Sequence, residues 1–138
     1  MNNIELNLSD SELVVMRVVW TLGGATAKQI VESLGETFHW SSSTVKTFLA
    51  RLFDKEIISR EKSGREFVYH ATKTESETVD LLTSDLANKV CAKKHMQVIK
   101  SLIASSDFTS QDLQELSQAL AVKKAVAEVK CDCLEGGC

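Results

Sequence analysis

The chain has no proline, no apolar run of membrane-spanning length and no glycine between Gly64 and Gly136. Each absence removes a class of answer. Without proline there is no rigid linker between the halves of the chain. Without a long apolar run there is no transmembrane helix. The N-terminus, Met1-Asn2-Asn3-Ile4-Glu5, lacks the basic start and apolar stretch of an export signal. A cytoplasmic protein with no membrane partner is therefore expected, and there thiols stay reduced, which favours metal binding over disulfides. Catalytic spacing is missing too. His39, His70 and His95 are scattered, and no nucleophile, acid pair or phosphate loop has a matching motif, so an enzyme is not expected. At 138 residues the chain makes one ordinary domain or two small ones, with a core but no large active-site cleft.

What is present is concentrated at the C-terminus. Cys131-Asp132-Cys133-Leu134-Glu135-Gly136-Gly137-Cys138 puts three of the four cysteines in one short tail. In an extended backbone both sulfurs of Cys-x-Cys swing to one side, and Gly136-Gly137 permit the sharp return that adds the third. Cys131, Cys133 and Cys138 are the candidate metal ligands, and all-thiolate ligation favours Cu(I) or Zn(II). A frayed tail would leave three exposed thiols open to oxidation. A redox dithiol would normally read Cys-x-x-Cys beside a βαβ pattern, which is absent. Cys91, alone near the end of an amphipathic helix, reads as a small core residue rather than a ligand.

Net charge is −3, but its sign is uneven. Residues 1–73 carry nine basic and nine acidic side chains, and residues 74–138 carry seven and ten. Within residues 40–73 seven basic face four acidic side chains, a modest excess that counts only beside a fold suited to nucleic acid.

The first half supplies that fold. Ser9-Asp10-Ser11-Glu12 is a capping box opening a helix with an apolar stripe of Leu13, Met16, Val19 and Trp20, stopped by Gly23-Gly24. Thr26-Ala27-Lys28-Gln29 opens a second, short helix through Ile30, Val31 and Leu34, with Gly35 at its C-terminal stop and Glu36 to Trp40 as connector. Trp40 reads as a staple or core anchor. Ser41-Ser42-Ser43 caps a third helix with apolar face Val45, Phe48, Leu49, Leu52 and Phe53. Its other face, Ser43, Thr44, Lys46, Thr47 and Arg51, combines short hydroxyls and long cations that can bond base edges and phosphates. Ile57–Arg60 and Phe67–His70 read as strands joined through Ser63-Gly64. Three helices and a basic-tipped hairpin make a winged helix-turn-helix, with the third helix in the major groove and Lys62 and Arg65 of the wing on phosphate or minor groove.

From Thr74 acids, lysines and leucines dominate. Helices are expected over about 75–92, 94–104 and from Thr109-Ser110-Gln111-Asp112 onward as far as Val129. Three such helices cannot close a core alone, so their stripes are expected to meet a second chain. The fold class is thus mainly α with a small β-hairpin: a winged helix-turn-helix domain at 1–73, a helical dimerisation domain at 74–130 and a cysteine tail at 131–138.

Leu8-Ser9-Asp10-Ser11-Glu12-Leu13-Val14-Val15-Met16-Arg17-Val18-Val19-Trp20 resembles the first helix of the BlaI/MecI repressors, and Ser43-Thr44-Val45-Lys46-Thr47-Phe48-Leu49-Ala50-Arg51-Leu52 resembles their recognition helix. The tail resembles that of the copper-responsive CopY branch. The resemblance implies a homodimer on a palindromic double-stranded operator of the TACA...TGTA type, upstream of copper-export genes. It implies Zn(II) on the tail cysteines supporting DNA binding, and release by Cu(I) delivered by a copper chaperone. The branch tail reads Cys-x-Cys-x4-Cys-x-Cys, whereas here the last cysteine is Cys138. Three thiolates suit trigonal Cu(I); tetrahedral Zn(II) needs a fourth donor from water, a histidine, Cys91 or the partner chain. Two other functions fit less of the sequence: a sibling antibiotic-resistance repressor inactivated by proteolysis, and a metal-buffering protein.

Overall fold

The computed structural model describes residues 7–133, apart from the side chain of Glu36. The chain forms two compact units that meet between Thr83 and Ser84, inside a helix and past the boundary expected after residue 73. No described helix is long and apolar enough to cross a membrane.

The first unit opens with α1, Asp10–Leu22. The Ser9 hydroxyl accepts from the Glu12 amide at 3.2 Å, as a cap should. The other half of the expected box is diverted. Both carboxylate oxygens of Glu12, a residue only 2% exposed, take Lys55 Nζ at 2.9 and 2.7 Å. A buried charge demands a partner more urgently than a cap amide does. The buried stripe of α1 is Val15, Met16 and Val19, rotated from the expected one, with Leu13 and Trp20 half-buried. Trp20 Nε1 donates to the Lys73 carbonyl at 3.0 Å.

Gly23 caps α1 with φ 73, and a Cβ on Gly24 would sit 2.6 Å from the His70 ring. This close turn admits a strand the sequence did not announce: β1, Ala25–Thr26. α2, Ala27–Phe38, carries the full Thr26/Gln29 capping box. It runs through Gly35, the expected stop, and ends at His39 with φ 51. Phe38 packs on Trp40 at 4.8 Å and Trp40 on Phe48 at 5.1 Å, contacts that outweigh the roughly 1 kcal/mol a helical glycine costs.

α3, Ser42–Asp54, starts from the Ser41 cap and buries Val45, Leu49 and Leu52 completely. Phe48 is half-buried. Phe53, expected in the core, is 37% exposed and forms a shelf under the Arg60 guanidinium, 4.1 Å from its ring centroid. α3 ends in a Schellman turn: Ile57 N–H bonds to Leu52 O, Glu56 N–H to Phe53 O, and Glu56 takes the left-handed position at φ 62.

β2, Ile58–Ser63, and β3, Glu66–Ala71, pair from Ile58↔Ala71 to Ser63↔Glu66. The strands are longer than expected, and the turn is Gly64-Arg65 rather than Ser63-Gly64. Gly64 has φ 66 while Arg65 does not turn positive, the pattern of a two-residue hairpin turn with glycine first. β1 pairs β3 antiparallel, giving a three-stranded sheet in the order β1-β3-β2. The core draws on α1, α2 and α3 together with Ala25, Ile57, Ile58 and Tyr69.

α4, Glu75–Lys89, stops short of the expected residue 92. In the second unit a 3-10 turn, Ala92–Lys94, leads into α5, His95–Ser105. His95 Nε2 lies 3.0 Å from the Ala87 carbonyl and 2.9 Å from that of Val90, holding the end of α4. α6, Ser110–Ala121, begins with the complete Thr109/Asp112 capping box. The Thr109 amide and hydroxyl hold the Asp112 carboxyl below the ordinary aspartate range. The helix does not reach Val129: Val122, Val126 and Val129 are β-branched and 50–81% exposed, so neither propensity nor packing extends it. No described residue from Ser84 to Cys133 is buried.

Candidate functional site

The outward face of α3 is set by its cap. Ser41 Oγ lies 3.0 Å from Ser43 Oγ and 2.9 Å from Thr44 Oγ1, while also accepting from the Thr44 amide. Thr47 Oγ1 donates to the Ser43 carbonyl at 2.9 Å, leaving its lone pairs and methyl for an outside partner. Ser43, Lys46, Thr47 and Arg51 are exposed and Thr44 is half-buried. A face of hydroxyl acceptors and cations on an otherwise apolar helix suits the donor and acceptor pattern of a major groove. Lys62 and Arg65 are exposed on the wing, Lys62 opposite Phe67 in the ladder and Arg65 in the turn. Arg60 is stacked between Phe53 and Phe67, 4.1 and 4.6 Å from their centroids, which stiffens the wing's base.

A cleft of about 180 Å³ lies between the starts of α2 and α3 and the wing. Lys28, Lys46 and Arg65 line it with Ser42, against the single acid Glu66. Three cations around one small cleft suit a phosphate. Sequence reasoning missed Lys28. The available signal was its place in the first turn of α2, where the helix dipole disfavours a cation unless an anion arrives from outside.

A second constellation lies in the other unit. Cys91 follows α4, and its thiol donates to Cys131 Sγ at 3.7 Å across 40 residues of chain. The sulfurs of Cys91, Cys131 and Cys133 all lie within 4.8 Å of one another. One ion held about 2.3 Å from three sulfurs spaces them about 3.8 to 4.0 Å apart, so this triangle is of the right size. The Cys133 amide lies 3.4 Å from Cys131 Sγ, a bond of the kind that stabilises thiolate ligands. Cys131 is disulfide-bonded here, so ligation through it requires the reduced form. The hydrogen bond with Cys91, then desolvation, then the electrostatic influence of Cys91 and Asp132 push the Cys133 thiol up. A bound cation reverses that balance. The Asp132 carboxylate accepts from the Ala92 amide at 2.9 Å.

Of the three expected ligands, Cys131 and Cys133 come together, and Cys138 lies outside the described residues. Cys91 corrects the sequence reading. It is half-buried beside the tail sulfurs rather than packed in a core, a neighbour that a gap of 40 residues concealed.

The penicillinase repressor family matches residues 8–122. An uncharacterized 16.5 kDa protein in the ptsI 3' region of Latilactobacillus sakei is 36% identical over 133 residues, covering 95% of this chain and 91% of that protein. The penicillinase repressor of Bacillus licheniformis is 27% identical over 117 residues, covering 85% and 91% of the two chains. The solved CopR repressor is 48% identical over 49% of this chain and 97% of its own, with a TM-score of 0.43.

Proposed function

The chain belongs to the penicillinase repressor family of DNA-binding transcriptional repressors, and from that premise we propose that it is a copper-responsive member. The homodimer binds a palindromic operator of copper-export genes, with α3 in the major groove and Lys62 and Arg65 on phosphate or minor groove. Zn(II) on the tail cysteines Cys131, Cys133 and Cys138 supports binding, and Cu(I), handed over by a copper chaperone, releases the repressor. The observation carrying this reading is the placing of the Cys131 and Cys133 sulfurs within 4.8 Å of each other on a chain whose other unit is built to meet duplex. Soft thiolate donors select thiophilic d10 cations over the harder ions of the cell. The tail cysteines bind the cation; Ser43, Thr44, Lys46, Thr47 and Arg51 bind DNA.

Two recognition helices engage one operator only when held about one duplex turn apart, roughly 34 Å. A change in the dimerising helices therefore removes simultaneous engagement. Linkage requires DNA to weaken Cu(I) binding by the factor by which Cu(I) weakens DNA binding.

The similarity to penicillinase repressors favours one rival, inactivation by proteolysis with an incidental tail. Deleting residues 131–138 separates the two. Operator binding that persists but no longer answers to metal supports the copper reading; an unchanged response removes it.

A further inference from the structure

We propose that Cys91 is a metal ligand supplied by the helical body, and that with Asp132 it makes cation binding fasten residues 131–133 onto the junction between α4 and α5. The proposal rests on the metal-responsive reading and adds to it a ligand outside the tail.

Two contacts bring the tail to one spot. Cys91 Sγ sits 3.7 Å from Cys131 Sγ, and one residue later the Ala92 amide donates to the Asp132 carboxylate at 2.9 Å. Ala92 opens the 3-10 turn leading into α5, and the Asp132 carboxylate takes one of the amides that a helical start leaves without an internal acceptor. Asp132 stands between Cys131 and Cys133, so the bond that fixes its carboxylate also presents the flanking sulfurs to Cys91. On the other side of the junction His95 holds the Ala87 and Val90 carbonyls.

A cation bound only by Cys131 and Cys133 would close a loop of three residues and leave the helices untouched. With Cys91 as a ligand the same cation links residues 40 positions apart in sequence, across the point where α4 gives way to α5. Whatever binds the folded arrangement alone stabilises it by mass action, so metal occupancy becomes a property of the helical unit. The ligand class is a soft, thiophilic d10 cation, Zn(II) or Cu(I), taken up by the reduced protein.

The test uses the reduced full-length protein and iodoacetamide, with the alkylation rate at each cysteine followed by peptide mass, without metal, with Zn(II) and with Cu(I). Masking of a thiolate nucleophile by the cation should slow Cys91 together with Cys131 and Cys133, by roughly tenfold or more. If Cys131 and Cys133 are protected while Cys91 reacts at its metal-free rate, the assignment of Cys91 is overturned and the metal-responsive reading stands. If neither Zn(II) nor Cu(I) protects any cysteine, that reading falls and takes the assignment with it. The variant Cys91→Ser, its fold checked by far-ultraviolet circular dichroism, gives a second readout. It should lose one sulfur from the Cd(II)–thiolate charge-transfer intensity and lose the rise in melting temperature caused by Zn(II). An unchanged intensity with an unchanged rise overturns the assignment.

Discussion

The two units of this chain solve the burial problem differently. The first closes twelve hydrophobic residues, from Val15 to Tyr69, into one core. The second buries no described side chain, and Met96, Ile99, Leu102, Ile103, Leu113, Leu116 and Leu120 stand 38–72% exposed. Local order is not the difference, since the Thr109/Asp112 cap is as complete as the Thr26/Gln29 cap. A unit with good caps and uncovered stripes is half of a structure, and under the proposed function a second copy of the chain supplies the other half.

The largest effect should come from charging the uncovered face. Ile99→Asp with Leu102→Asp should give monomers by light scattering and lower operator affinity by about 10²- to 10⁴-fold as bivalency is lost. A charged variant that remains dimeric would break the comparison. In the closed unit Leu49→Ala should cost about 2–5 kcal/mol in denaturant unfolding while leaving oligomeric mass unchanged up to the transition. Next is Lys55→Met, which strands the buried Glu12 carboxylate. The loss should be about 3 kcal/mol, and Glu12→Gln with Lys55→Met should recover much of it in a double-mutant cycle.

Lys28→Ala probes the cationic cleft. It should weaken operator and non-operator duplexes alike and reduce the slope of log affinity against log salt by about 1, with the melting temperature unchanged. An unchanged slope removes Lys28 from the interface. The smallest effect is at α6. Because the Asp112 carboxyl lies below its ordinary range when folded, its cap contribution is complete above that range and is lost as pH falls through the lowered value. Asp112→Asn should abolish this acid-range change in the Thr109 amide resonance and hasten hydrogen exchange in the first turn of α6.

What the sequence made legible was local. Serine and threonine caps, the three-helix order and the exposed polar face of α3 follow from residues within four positions of one another. What it hid depends on distant partners. Glu12 leaves its cap for Lys55, 43 residues on. Gly35 does not stop α2 because Trp40 and Phe48 hold the next turn. Phe53 faces outward because Arg60 covers it. The two residues of β1 form a strand only because β3 passes beside them. The same rule governs the cysteines: Cys131-Asp132-Cys133 is visible in one line of sequence, but Cys91 joins it only through the fold.

The most direct measurement is the anisotropy of a labelled palindromic operator duplex bound by the reduced, Zn(II)-loaded protein as Cu(I) is titrated in, with sulfur-to-copper charge-transfer absorption recorded on the same sample. The account predicts that anisotropy falls to the free-duplex value as the absorption saturates. Operator affinity that is the same for metal-free, Zn(II)-loaded and Cu(I)-loaded protein would contradict it.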